Sequence, residues 1–351
     1  MSRRPKIFGH LMAEVIRKGR CVSCGACAAV CPVNSIALEE GVPKLVGLCI
    51  ACGMCYNNCP RAEFDVEEME RQVFGRARGE DEAETGVVKA VYAVRTKDAG
   101  ILERCQDGGA VTAILSQFLA DGGECAVVAG LEEGKVWSPE PVVAVSREEV
   151  VAGAGTKYTS CPILVGVASA VNEYEKQKVA VVGTPCQMRA LRRIETGDYS
   201  EAKIREAVAL DVGLFCMETF GYSSLMEFLE RAGVDASKVT KFDIKKGRFI
   251  AWQGDEQVYN VKLSEMKELV RPCCHECDDF ASEFSDVSVG NVGSPDGWST
   301  VVVRTERGEA ALRAAEKGGL IEVKPLGEVK PGLKAVVKLA RLKKKQAKKG
   351  E

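Results

Sequence analysis

From Val87 onward, short apolar runs alternate with longer mixed stretches. Val87 to Val94 (VVKAVYAV) has the β-branched and aromatic content of a strand. Cys125 to Ala129, Pro141 to Val145, Val179 to Gly183, Ala207 to Val212, Asp286 to Gly290 and Thr300 to Arg304 read the same way. Helical segments fall between them. Ala110 to Ala120 opens after Gly108-Gly109 and is stopped by Gly122-Gly123; Met188 to Ile194 and Arg307 to Lys317 are two more. This alternation predicts an α/β domain over residues 87–330. Residues 63–86 are acidic and polar, with Glu63, Asp65, Glu67, Glu68 and Glu70 followed by Gly79 to Glu82. They predict a short helix and an exposed linker. Residues 331–351 form a basic tail containing Lys338, Arg341, Lys343, Lys344, Lys345, Lys348 and Lys349. Such a block predicts a solvated end; electrostatic docking to an acidic partner or an anionic membrane surface is the alternative.

Residues 1–62 follow neither period. Their punctuation is cysteine: Cys21, Cys24, Cys27 and Cys31-Pro32, then Cys49, Cys52, Cys55 and Cys59-Pro60. Both halves read C-x₂-C-x₂-C-x₃-C-P, the spacing of a two-cluster ferredoxin module. In that arrangement each [4Fe–4S] cube takes three thiolates from one half and the fourth from the other. The predicted quartets are Cys21, Cys24, Cys27 and Cys59, and Cys49, Cys52, Cys55 and Cys31. Gly25 and Gly53 stand where the chain must curl around a cube. Zinc sites draw their ligands in pairs, so zinc knuckles fit this run poorly.

Composition narrows the class. The chain has 351 residues, 46% hydrophobic and 28% charged, room for about two domains of ordinary globular make-up. A net charge of −2 gives no bulk attraction to nucleic acid. No apolar run approaches the roughly 20 residues that span a bilayer, and Met-Ser-Arg-Arg-Pro-Lys is not followed by an apolar signal core. Sixteen cysteines then suit iron ligation in a reducing cytoplasm better than disulfides. Two histidines, His10 and His275, argue against haem.

Eight cysteines lie outside the module. Cys186 and Cys216 each follow a predicted strand, and Cys274 and Cys277 form a C-x₂-C pair. In an α/β domain strand ends converge on one edge, so these four would suffice for a third cluster. Two core cysteines beside an incidental pair is the alternative, and Cys273 competes with Cys274. Cys125 reads as core, and Cys105 and Cys161 have no ligand role. There is no Walker A run and no G-x-G-x-x-G, so a Rossmann nucleotide site is not predicted. Three small-residue turns remain: Gly108, Gly109 and Thr112; Gly155, Thr156, Lys157 and Tyr158; and Gly293, Asp296, Trp298 and Ser299. The first opens a helix whose N–H groups could hold a phosphate; ordinary loops are the alternative for each.

Taken in order, GGAVT at 108–112, GTKYT at 155–159, VGTPCQ at 182–187, GLFCME at 213–218, CHECDDF at 274–280, DVSVG at 286–290 and GSPDGWST at 293–300 resemble the beta subunits of coenzyme F420 hydrogenases and dehydrogenases. The resemblance covers residues 87 to about 325. With two ferredoxin clusters in front, the layout is similar to that of electron-input subunits of F420H2 dehydrogenases. It implies a flavin-binding α/β domain, not a Rossmann fold, that holds FAD, a cluster on Cys186, Cys216, Cys274 and Cys277, and a site for the deazaflavin. It makes the three turns the flavin-site candidates, with Lys157 as a flavin or phosphate contact, and assigns no acid–base catalytic residue. It implies oxidation of F420H2 by hydride transfer to FAD, which releases single electrons through three clusters to partner subunits of a membrane or soluble redox complex. The chain would then be cytoplasmic, with peripheral membrane association through that complex. The alternative it leaves is an electron-transfer subunit of a formate dehydrogenase, hydrogenase or related complex with another donor or acceptor.

Overall fold

A computed structural model describes residues 5–197 and 201–350. The N-terminal half-module begins with α1 (Phe8–Leu11), which continues as one wider turn over Met12–Ile16. It contains α2 (Ala26–Ala29), the hairpin strands β1 (Ile36–Glu39) and β2 (Val42–Leu45), and α3 (Met54–Asn57). The cysteine repeat is a repeat of backbone shape. Ser23 and Gly25 have φ of 55° and 87°, and Ala51 and Gly53, 28 positions later, have φ of 58° and 83°. Each left-handed glycine starts a one-turn helix, α2 or α3. Phe8, Leu11, Val15, Ile36 and Tyr56 form a small core between the two halves.

The acidic segment is docked, unlike the exposed linker expected from its composition. α4 (Val66–Phe74) is capped by Asp65, whose carboxylate accepts from Glu68 N at 3.0 Å, and it stops at Gly75. Phe64 and Phe74 pack on the ring of Phe284, at 5.4 and 6.4 Å. Glu70 is buried because Arg78 reaches it at 2.6 Å, and Arg78 also pairs with Glu283 at 2.7 Å. Glu82 pairs with Arg76 and accepts from Gly79 N and Val88 N. Those bonds hold its carboxyl down at about 2, with Arg76 the largest influence. Acidic residues made this segment read as solvated; guanidinium partners nearby in sequence draw two of them inward.

The remaining elements alternate as the pattern predicted, with boundaries shifted by a few residues: β3 (Ala90–Thr96), α5 (Ala99–Arg104), α6 (Ala110–Ala120), β4 (Cys125–Leu131), β5 (Pro139–Ala144), α7 (Arg147–Ala152) and α8 (Ile163–Ala168). After these come β6 (Val179–Gly183), α9 (Pro185–Thr196), α10 (Ala202–Ala207), β7 (Val208–Leu214) and α11 (Tyr222–Arg231). A second sheet interrupts the series with β8 (Lys241–Lys245), β9 (Arg248–Gln253) and β10 (Glu256–Lys262). The chain closes with β11 (Val287–Gly290), β12 (Ser299–Val303), α12 (Glu306–Lys317), β13 (Ile321–Pro325) and α13 (Leu333–Gly350).

Eight strands form one sheet in the order β13-β3-β12-β11-β7-β6-β4-β5. Its centre, β11, β7, β6 and β4, is parallel, and both flanks are antiparallel. All five β6 residues are buried, as helices on both faces require. One face packs on residues of α8, α9 and α10 together with Val22, Ala26 and Val30 of the cysteine module, so the module shares this core. The other face packs on α6 and α12. The three-stranded sheet, order β10-β9-β8, packs Phe242 and Phe249 against Leu225 and Leu229 of α11.

The basic tail is an ordered helix, which corrects its reading as a solvated end. Val336, Ala340, Lys343 and Ala347 recur at helical spacing and are buried, with Val336 and Ala340 against Phe280 and Ala281. Lys334, Lys338, Lys345 and Lys348 stay exposed. The side chain of Lys349 and residue 351 lie outside the described residues. No helix among the described residues is long and apolar enough to cross a membrane.

Candidate functional site

The structure brings the cysteines of each ferredoxin quartet together. Burial pushes the Cys24 thiol well up, and Cys59, Cys27 and Cys21 push it the same way. The Cys27 thiol is raised by burial, then by Cys59 and Cys21. In the other half, burial takes Cys55 to about 12, with Cys52, Cys49 and Cys31 as its sulfur neighbours. The fourth cysteine of each half therefore lies near cysteines of the other. Backbone N–H groups point at sulfur: Ser35 N donates to Cys31 Sγ at 3.3 Å and Ala51 N to Cys49 Sγ at 3.4 Å.

Parallel neighbours β6 and β7 carry the next pair. Just past β6, Thr184 caps α9, with Gln187 Oε1 accepting from Thr184 N at 2.7 Å and Pro185 in the first turn. This places Cys186 at a helix N-terminus, within 3.3 Å of Thr184 Oγ1, although burial pushes its thiol up to about 11. Cys216 follows β7, and its N–H donates to Phe280 O at 2.9 Å. Cys274 ends a short turn and accepts from Thr219 N at 3.4 Å. Cys186 feels burial first, then Cys277 among its sulfur neighbours, and then Cys274. Cys216 is raised by burial, then by Cys274, Cys186 and Cys277. These four thiols thus come together from three places in the sequence. Cys273 instead sits in the apolar core beneath the sheet. The neighbouring Cys273 thiol holds the Cys274 thiol below its ordinary value.

The residues fit iron–sulfur cubes. Among the described residues no three Cys, His, Asp or Glu side chains close around a single-ion position. A tetrahedral zinc would hold sulfurs at ~2.3 Å and draw them close together, whereas a cube of four irons keeps its thiolates further apart. Two buried donors without acceptors feel this quartet's charge: Nε of Arg61, whose charge acts on Cys186, and Nε of Arg189, which feels Cys277. Such donors suit an acceptor of the kind inorganic sulfide would supply. Arg61 follows Cys59-Pro60 and donates to Cys273 O and Glu276 O, so it joins the first ferredoxin quartet to the third. Arg271 ties the module from the other side, donating to Cys21 O, Val22 O and Ser23 Oγ at 3.1, 3.2 and 2.6 Å.

The glycine turns converge. A Cβ on Gly108 would strike the Ser299 backbone N, and would lie 2.5 Å from Val94 O and 2.8 Å from Trp298 C. Gln106 Oε1 accepts from Thr156 N at 3.3 Å, and Asp107 is bonded to Asn291. Burial raises the Asp107 carboxyl, and Asp243 on β8 raises it further. Gly109 caps α6 with φ of 71°, and Thr112 is buried in that helix's first turn. Gly155 has φ of 85°. Tyr158 packs on Phe249 at 5.9 Å, and its carbonyl accepts from Phe220 N in the loop after Cys216. Gly293 O accepts from Gly332 N, Lys324 lies 4.4 Å over the Trp298 ring, Ser299 is buried and Asp296 is exposed. The Lys157 ammonium is engaged by Gly153 O at 2.6 Å and Ala154 O at 3.2 Å, and burial pulls it down to about 8. Gly108→Ala is expected to destabilise the fold by about 3 kcal/mol, because backbone lies on every side of the new methyl. Denaturant midpoints of the two proteins measure this.

Sequence reasoning missed the groups around these centres. Gln106 beside Asp243, Arg61, Arg189 and Lys343 carry no spacing motif. The available signal was a lysine in step with an apolar helical stripe, at Lys343.

Known proteins resemble the chain over most of its length. The profile for the C terminus of the coenzyme F420 hydrogenase/dehydrogenase beta subunit matches residues 176–329, and the corresponding N-terminal profile matches 91–167. The beta subunit of the coenzyme F420 hydrogenase of Methanothermobacter thermautotrophicus is 42% identical over 75% of this chain and 94% of that protein. The chain belongs to this family. A 4Fe-4S dicluster domain occupies residues 13–60. One component of the F420H2 dehydrogenase of Methanosarcina mazei is 33% identical over 95% of this chain and 92% of that protein. Among solved structures, a chain of the F420-reducing [NiFe] hydrogenase complex from Methanosarcina barkeri matches with a TM-score of 0.71 and 38% identity, covering 76% of this chain and 92% of that one. The expectations of an iron–sulfur module followed by an α/β domain of this type hold.

Proposed function

We propose that the protein is an electron-input subunit that oxidises reduced coenzyme F420 and passes electrons singly to a partner complex. The observation that carries this is the mutual approach of Cys186, Cys216, Cys274 and Cys277, beside which Arg61, two residues after Cys59, bonds Cys273 O and Glu276 O. The layout agrees with the relative from the Methanosarcina mazei F420H2 dehydrogenase, whose match spans almost the whole chain. When bound, FAD accepts a hydride and releases electrons singly, and [4Fe–4S] clusters carry one electron each.

The chain's own residues orient and insulate. The flavin is assigned to the turns at Gly108, Gly155 and Gly293, with Thr112, Thr156, Tyr158, Trp298 and Ser299 beside them; Gly108 lets the first turn close on the backbone of Val94, Trp298 and Ser299. Lys157 fixes the second turn through its carbonyl bonds rather than reaching out as a free cation. Cys186, Cys216, Cys274 and Cys277 hold the first cluster; Cys21, Cys24, Cys27 and Cys59 the next; Cys31, Cys49, Cys52 and Cys55 the last. Cys49, in this last quartet, is exposed. Exposed apolar side chains crowd around it: Val33, Leu45, Val46, Leu48 and Ile50. This face docks a partner subunit that carries the next one-electron acceptor.

Acid release from reconstituted protein is expected to yield FAD and not FMN. Anaerobic mixing with reduced F420 should bleach the flavin, while NAD(P)H and reduced ferredoxin should not. Bleaching by another donor alone overturns the F420 assignment, and protein without flavin after reconstitution overturns the flavin site.

A further inference from the structure

The docked stripe of α13 has one member of the wrong type. Val336, Ala340 and Ala347 are apolar, but Lys343 is 3% exposed. A buried ammonium is unfavourable unless hydrogen bonds and opposite charge answer it. Lys343 Nζ donates to Met217 O and, at 2.9 Å, to Cys274 O. The first carbonyl belongs to the residue after Cys216, and the second to Cys274 itself. Among the described residues no carboxylate lies within ion-pair distance of Lys343, although its neighbours on the helix have such partners, Lys344 with Glu283 and Arg341 with Glu84. Arg189 likewise has Asp278 at 3.1 Å. Neutral carbonyls do not balance a full charge. The acidic groups that feel its charge are the Glu218 carboxyl, which burial raises and Lys343 acts to lower, and the thiols of Cys216 and Cys274. Burial and neighbouring sulfurs push the Cys216 thiol up, and Lys343 acts against them.

We propose that Lys343 is the counter-charge of the quartet formed by Cys186, Cys216, Cys274 and Cys277, and that it raises the reduction potential of the cluster held there. The inference rests on the proposal that this quartet holds a [4Fe–4S] cluster. One-electron reduction makes a thiolate-ligated cube more negative by one unit, and a fixed cation in a low-dielectric site stabilises that state selectively. Lys343 touches backbone rather than the reacting atoms, so it is a positioning residue acting through its field. Lys343 is supplied by α13, so docking of this helix sets the electronics of the site as well as covering it.

The test compares full-length wild type, Lys343→Gln and Lys343→Arg after anaerobic reconstitution, with iron counted and midpoints read by EPR-monitored redox titration. Glutamine keeps an N–H donor and removes the charge; arginine keeps both. The signal of the third cluster is identified by its loss in Cys277→Ala. Lys343→Gln is expected to shift the reduction equilibrium of that cluster alone at least tenfold toward the oxidised form, about 59 mV for one electron. Lys343→Arg should stay within threefold of wild type, and the two ferredoxin midpoints should not move. A glutamine variant that keeps about eight irons beside an arginine variant that keeps about twelve also supports a charge requirement. About twelve irons in all three proteins with an unmoved midpoint overturns the role of Lys343. So does an equal fall in glutamine and arginine variants, which marks a packing role. About eight irons in wild type removes the third cluster, and with it the reading on which the inference rests.

Discussion

Cys277→Ala should lower iron from about twelve to about eight atoms per chain and uncouple the flavin from the ferredoxin clusters. The residue closes a quartet assembled from three separate segments, so no neighbouring cysteine replaces it in register. Cys273 is the nearest spare, but it lies in the core with Val127 and Leu191. The substitution leaves the fold intact, because Cys277 is only half-buried and belongs to no apolar cluster. The flavin turns are built from Gln106, Gly108, Thr156 and Trp298 and do not depend on Cys277. Flavin bleaching by the donor should therefore proceed as in wild type, and reduction of the ferredoxin clusters by the same donor should slow at least a hundredfold. Full iron content with unslowed cluster reduction would sink the assignment of Cys277.

The cysteine module was legible because its ligands are local. A C-x₂-C-x₂-C turn fixes the chain path within ten residues, and the left-handed residues at 23, 25, 51 and 53 repeat with the cysteines. The parallel core was legible for a similar reason: β6 and β7 are short, apolar and bounded by glycine. The third quartet was half legible. Sequence placed Cys186 and Cys216 after strands, but only the β7–β6 pairing makes them neighbours. Resemblance supplied the preference for Cys274 over Cys273, and the sequence alone did not show that Cys273 is buried in the core.

The misread segments share one cause: charge was taken as a sign of solvent. The acidic stretch after residue 62 and the basic tail are both amphipathic, with a minority of positions doing the docking. In α4 and the turn after it, Glu70 and Glu82 are drawn in by Arg78 and Arg76, which lie within the same charged stretch. In α13 the lysines are so frequent that the stripe of Val336, Ala340 and Ala347 is diluted. The sheet β8–β10 escaped notice because its outer strand, β10, is mostly polar and only Val261 is fully buried.

Leu48→Glu combined with Ile50→Glu should abolish electron delivery to the partner complex while sparing everything upstream. Leu48 is 90% exposed and Ile50 59%, so neither contributes to the module's core, and the fold should change by no more than about 0.5 kcal/mol. Both flank Cys49, the exposed thiol of the last quartet. Along residues 33–50 the exposed large side chains Val33, Val42, Leu45, Val46, Leu48 and Ile50 make up nearly half of all those on the described surface. Concentration of apolar area where electrons must leave is the mark of an interface centre, where carboxylates would be buried unpaired. Donor-to-dye activity should match wild type, because a small dye needs no docked surface. Reduction of the anaerobically copurified partner subunits should fall at least tenfold. Sedimentation separates the other occupant, a second copy of this chain: a wild-type dimer that the double variant converts to monomer would assign the face to self-association. Unchanged delivery to the partner subunits would show that electrons leave elsewhere.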